Sequence, residues 1–170
     1  MRRNAILANS NFPEEAEVEV RNKDGFKSVF AKDRISRDAV VFYLKGTVLT
    51  SPTRYTIQIG IQRHLTCPVI RKTNDDLDYC WQYLNHSCEP NGYLNQVDVS
   101  FRALRDIEPG EEINFNYLTT ESEMALPFIC LCGSPKCFGL IKGHDFLTPE
   151  QAEALALMVG EHAVMFRTTP

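Results

Sequence analysis

Tyr83-Leu84-Asn85-His86-Ser87-Cys88-Glu89-Pro90-Asn91 is the stretch from which the rest of the chain is read. Two amides, an imidazole, a hydroxyl and a thiol fall within seven positions from Asn85. A core strand would leave too many of these groups without partners, and the apolar spacing of a helix is missing. Pro90 pushes Glu89 away from helical angles, so the run leaves as an extended or turned segment. Entered from the apolar Trp81-Gln82-Tyr83-Leu84, it reads as a polar loop on a fixed wall, the makings of a ligand pocket.

A second cluster lies downstream. Cys130-Leu131-Cys132-Gly133-Ser134-Pro135-Lys136-Cys137 sets three thiols around a Gly-Ser-Pro turn. Thiolates so spaced chelate a borderline ion, and tetrahedral zinc asks for a fourth. Cys67, Cys80 and Cys88 are the candidates. The first two sit beside apolar residues, where a free cysteine serves as a small hydrophobe, so Cys88 is favoured. A zinc on Cys88, Cys130, Cys132 and Cys137 would pin the late segment over the opening loop.

Composition narrows the field. A chain of 170 residues with 44% apolar and 24% charged residues suits one folded body with a real core. A net charge of −4, with no basic run beyond Met1-Arg2-Arg3, argues against direct nucleic-acid binding and leaves room for a lysine-rich partner. Neither a membrane-spanning run nor a secretory leader is legible, so an intracellular location, nuclear or cytoplasmic, is expected. Reduced cysteines follow from that.

In chain order the pattern is mainly β with few helices. Strands are expected over Ala16–Val20, Ser28–Ala31, Val40–Leu44, Thr47–Leu49 and Tyr55–Ile59. Two more are expected over Val97–Phe101 and Ile113–Tyr117, the latter with Ile113, Phe115 and Tyr117 on one face. Residues 1–15 read as a loose start, 71–78 as a polar loop, Leu77–Leu84 as a helical turn or two, and 119–127 as a linker. Thr148, Pro149 and Gln151 mark a capping box opening a C-terminal helix, with Ala152, Leu155, Val159, Ala163 and Phe166 roughly on one side.

Together these pieces resemble the SET-domain protein lysine methyltransferases. Asn85-His86-Ser87-Cys88-Glu89-Pro90-Asn91 matches that family's Asn-His-Ser-Cys-x-Pro-Asn motif. Gly110-Glu111-Glu112-Ile113-Asn114-Phe115-Asn116-Tyr117 is similar to its second motif, with Asn116 for an Asp, and Cys130-x-Cys132-x4-Cys137 to its post-SET zinc motif. The resemblance implies small curved β-sheets with a knot-like threading of the C-terminal segment. It divides the chain into a catalytic domain over 16–120, a zinc-binding segment over 128–143 and a helical extension over 144–170.

The resemblance also implies S-adenosylmethionine as methyl donor and zinc as structural metal. Asn85 and His86 would bind the donor, backbone around Lys27 and Ser28 would lie along it, and Phe138 and Leu140 would close over it. Tyr117 would be the catalytic tyrosine, Tyr43 would line the lysine channel, and Phe115 would set how many methyl groups fit. The substrate would be a lysine-containing protein or peptide, a histone among the candidates. Such chemistry needs a neutral amine aimed at a sulfonium methyl, which an aromatic channel supplies without a strong base. Two departures stand out: Phe26-Lys27-Ser28 replaces the family's Gly-x-Gly, and Gln82 replaces an arginine. They keep two rivals in view, a SET-like scaffold that binds peptides without catalysis, and a methyltransferase of a non-protein substrate.

Overall fold

A computed structural model describes residues 13–68 and 76–162. Most of the expected loose start, residues 71–75 of the expected polar loop, and Ala163 and Phe166 of the helical face lie outside the described residues. Among the described residues, four small sheets make up the body. The first joins β1 (Val18–Lys23), β2 (Phe26–Ala31), the late strand Glu112–Phe115 and the two-residue strand Asn85–His86, in that order. Its opening hairpin turns on Asp24 and Gly25, both at positive φ (53° and 87°), where Asp-Gly suits the primed two-residue turn.

A second sheet orders β3 (Val40–Tyr43), Ser100–Ala103 and Gly92–Asn95. A third orders β4 (Thr47–Leu49), Arg63–Thr66 and β5 (Ile57–Gly60). Phe128–Ile129 and Leu140–Ile141 form a two-stranded ribbon. Numbered along the chain, Arg63–Thr66 is β6, Asn85–His86 β7, Gly92–Asn95 β8, Ser100–Ala103 β9, Glu112–Phe115 β10, and the ribbon β11 and β12.

The parallel pair β7–β10 positions the site. Asn85 pairs with Asn114 and His86 with Phe115, so the polar loop lies alongside the strand that leads into Tyr117. Asn91, 1% exposed, fastens the loop's far end. Its side chain donates to the Glu111 carboxylate (3.1 Å) and the Glu112 carbonyl (2.8 Å), and accepts the Asn114 N–H (2.9 Å).

Two cores meet here. One gathers the three larger sheets around Phe101, Val29, Val41, Ile107 and Ile113. The other holds Cys88, Leu118, Phe138, Ile141 and Leu155 beneath α1 (Pro149–Val159). Tyr117 packs against both. The capping box of α1 forms as its sequence predicts, with Thr148 and Gln151 each satisfying the other's backbone N–H.

Several expectations are corrected. The stretch read as a strand over Val97–Phe101 is largely a hairpin turn between β8 and β9. Asn95 and Asp98 accept the Val97 and Ser100 N–H groups, Val99 turns to φ 54°, and Val97 is 85% exposed. The strand before Tyr117 stops at Phe115, because the Asn116 side chain accepts the Leu118 N–H and caps a 3-10 turn over Tyr117–Thr119. Tyr55 falls outside β5, and β5 is buried on both faces, since Gln58 is covered by Glu121 and Ser122. Residues 119–121, read as the start of a linker, are buried. β6 was not anticipated, four residues being too few to show a period.

Replacing the buried Asn91 with Ala removes three partly buried hydrogen bonds and strands their partners. Urea denaturation should show a loss of about 2–4 kcal/mol, and a loss below about 0.5 kcal/mol would contradict this role.

Candidate active site and metal centre

The four predicted metal ligands come together. The sulfurs of Cys88, Cys130, Cys132 and Cys137 all lie within 4.8 Å of one another. Cys88 sits 3.8 Å from both Cys130 and Cys137. That is the edge of a tetrahedron with bonds of about 2.3 Å, the zinc–thiolate length. Further donors converge on the same sulfurs: the Phe138 N–H reaches Cys88 (3.4 Å) and the Gly139 N–H reaches Cys137 (3.4 Å). Burial pushes the Cys88 thiol up, while the Ser134 N–H draws Cys132 down to about 7. A bound dication would hold all four as thiolates. The donor set therefore fits a closed structural zinc site. Cys67 and Cys80 stay out of the cluster.

His86 ties this centre to Tyr117. The Tyr117 backbone N–H donates to His86 Nδ1 (3.2 Å), so Nδ1 carries no proton. The ring proton of the neutral imidazole then sits on Nε2, which lies 3.3 Å from Cys88 Sγ. Burial lowers the imidazole to about 4, so it stays neutral at physiological pH. The rings of Tyr117 and Phe128 stand edge-on to it at 5.3 and 5.5 Å.

The Tyr117 hydroxyl donates to the Leu84 carbonyl (2.8 Å), one residue before Asn85. Burial, with help from the Glu121 and Glu112 carboxylates, pushes that phenol up to about 12. It is a permanent hydroxyl rather than an acid. Tyr117 and Leu84 line a cleft of about 570 Å³ together with Trp81, Phe115, Phe128, Tyr55 and Glu121. The Phe115 ring lies 4.9 Å from that of Tyr117 and 5.8 Å from Phe101, which holds it in place.

On the far side of Leu84, Asn85 is exposed and donates to Ser28 Oγ and to Glu112 Oε1, both at 2.8 Å. Lys27 is ion-paired to Asp76 (2.6 Å) and lies over the Tyr83 ring (4.9 Å). Ser28, Asn85 and Glu112 thus meet at one surface, with the Lys27 charge balanced beside it. Phe138 is buried under the cysteine cluster and Leu140 is 55% exposed on β12. Tyr43 ends β3 opposite Ser100 and does not line the cleft. Tyr55 lies on the cleft wall. The alternation Tyr55, Ile57, Ile59 hid it, since it suggested a strand rather than a loop tip. Glu121 was missed as well, because nothing in a polar run after Tyr117 signals that its carboxylate is buried.

Against this geometry, the SET domain profile matches residues 27–118, more than half of the chain. The chain belongs to the SET-domain family. Among curated relatives, Methyltransferase flvH of Aspergillus flavus is 43% identical over 70 residues, 40% of this chain and 37% of that protein. Histone-lysine N-methyltransferase set1 of Dictyostelium discoideum is 28% identical over 123 residues, 64% of this chain and 8% of that protein. The chain thus spans well under half the length of both. Among solved structures, KRYPTONITE in complex with mCHG DNA and SAH aligns with a TM-score of 0.57 at 19% identity, covering 74% of this chain and 29% of that one. That likeness is one of fold.

Changing Cys88 to Ser should abolish stoichiometric zinc in the purified protein and expose Cys130, Cys132 and Cys137 to thiol reagents. Metal analysis with thiol counting checks it; full zinc retention in the variant would exclude Cys88 as a ligand.

Proposed function

We propose that the protein is an S-adenosylmethionine-dependent protein-lysine N-methyltransferase held together by a structural zinc on Cys88, Cys130, Cys132 and Cys137. The observation that carries this reading is the Tyr117–Leu84 hydrogen bond. It fixes a phenol at an aromatic cleft, next to the peptide that leads into Asn85. When bound, the donor supplies an electrophilic methyl group on a sulfonium. Asn85, Ser28 and Glu112 are the residues to hold it, with backbone of Lys27 and His86 beside them and Phe138 and Leu140 on the zinc-bound side. Glu112 suits a cationic ligand, and Lys27 does not oppose it because Asp76 neutralises its charge.

The cleft does the rest. Walls of Trp81, Tyr55, Phe115 and Phe128 disfavour a charged ammonium and align a lysine side chain with the hydroxyl of Tyr117. The phenolic oxygen and the Leu84 carbonyl are placed to accept weak C–H···O contacts from a polarised methyl, each about 0.5–1 kcal/mol. Phe115 rather than a tyrosine leaves room beside the amine, which favours more than one methyl group.

A peptide or protein lysine is the substrate class, with histones the leading candidates. One relative is named as a histone H3 lysine-36-specific methyltransferase, and one structural neighbour holds an H3(1-15) peptide. A nuclear place follows from that assignment. The functional division follows the motifs, with catalysis over 16–120, metal binding over 128–143 and a packing helix beyond.

One observation favours the scaffold reading: Asn85 donates to Ser28 and Glu112, and Phe26 and Ser28 stand where the family has glycines. Calorimetry and transfer assays on wild type and Tyr117→Phe separate the two. Wild type should bind S-adenosylmethionine and label lysine peptides from the labelled donor. The variant should bind the donor within about threefold of wild type but transfer methyl at least a hundredfold more slowly. Absence of donor binding at millimolar concentration in wild type would favour the scaffold; equal transfer by both would remove Tyr117 from the chemistry.

A further inference from the structure

Glu121 is a buried carboxyl that the mechanism above leaves unused. It is 6% exposed, yet it lines the same cleft as Tyr117, Tyr55, Trp81 and Phe128. Two donors fix its orientation, the Gln58 N–H at 2.7 Å and the Thr120 hydroxyl at 3.2 Å, and both end on Oε1. Oε2 has no partner among the described residues. The frame behind it is rigid. The Gln58 side chain accepts the Ser122 N–H (2.9 Å) and hydroxyl (3.0 Å), and the Glu121 N–H donates to the Tyr117 carbonyl (2.9 Å).

Oε2 is not sealed from solvent, so it is free to open on the cleft, and a carboxylate this deeply placed is costly to ionise unless a cation meets it. None of the described residues supplies a compensating charge: burial pushes the group up to about 7, and its neighbours act through hydrogen bonds alone. Arg54, Tyr55 and Tyr117 are the other titratable groups lining the cleft. Behind it, the backbone N–H of His144 reaches the Glu121 carbonyl (2.9 Å), and burial lowers that imidazole. A carboxylate at the wall of such a cleft is the group that meets an alkylammonium by a charge-assisted hydrogen bond.

We infer that Glu121 Oε2 receives the substrate's lysine ammonium in the cleft and takes its proton before methyl transfer. This rests on the methyltransferase reading and deepens it. One N–H bond of the ammonium breaks, the proton passes to Oε2, and the nitrogen keeps the electron pair as the neutral nucleophile. The carboxyl later returns that proton to solvent. Aromatic walls make the step feasible by lowering the amine's proton affinity while burial raises that of the carboxyl, bringing the two together.

Binding of n-butylammonium chloride tests the site without turnover. At pH 8 wild type should bind it at least tenfold more tightly than Glu121→Gln, which keeps the Oε1 acceptor, while 1-butanol should bind both alike. In wild type alone, affinity should rise from pH 5 to pH 8 as the carboxyl ionises, a readout that needs no variant. With lysine peptide, wild type should show an ascending limb near neutral pH, and Glu121→Gln should lower kcat more than it raises KM and lack that limb. Equal butylammonium affinity, or an unchanged pH profile, overturns the assignment of Glu121. Glu121-dependent butylammonium binding in a wild-type protein that methylates no lysine would overturn the methyltransferase reading and leave the ammonium site standing.

Discussion

The His86 imidazole, held between the Cys88 sulfur and the Tyr117 backbone, is the constraint on which the rest of the site depends. One nitrogen accepts and the other donates, so the ring has a fixed tautomer and a fixed direction. Its neutrality is enforced by burial rather than by a charged partner. Through this ring the cysteine cluster sets where Tyr117 begins its turn, and the Tyr117 hydroxyl in turn sets where the Leu84 carbonyl points. Metal site, hydroxyl and cleft wall are therefore consecutive links in one chain of contacts.

The surrounding fold serves to hold that chain still. Parallel pairing of β7 and β10 brings the two motifs into register, and Asn91 closes the loop against the strand that carries the second motif. Asn116 then breaks the strand, so that Tyr117 turns inward between two cores instead of continuing along the sheet. Asn in place of the family's Asp keeps the capping oxygen and leaves a buried Nδ2 without a partner among the described residues. Such an orphan donor costs about 1–3 kcal/mol, a cost that the packing around it must offset.

Much of this was legible in the residues themselves. The loop over 85–91, the three late cysteines and the borrowed fourth sulfur carry chemistry that few other arrangements would need, and all four sulfurs meet. The capping box of α1 was legible because its signals are local. What failed was periodicity in short elements. Val97–Phe101 alternates like a strand, yet Asn95 and Asp98 bond their own backbone and turn it. Tyr43 and Tyr55 are both tyrosines beside apolar runs, and only the long-range pairing of β4, β5 and β6 decides which one reaches the cleft. Glu121 was invisible for the same reason, since its burial is made by Gln58, distant in sequence.

Long-range nitrogen-15 NMR of the His86 ring addresses the central contact most directly. The account predicts a neutral ring protonated on Nε2 and unchanged from pH 6 to pH 8, because burial lowers its ionisation to about 4. A proton found on Nδ1, or a titration midpoint near the ordinary histidine value of about 6.5, would contradict it.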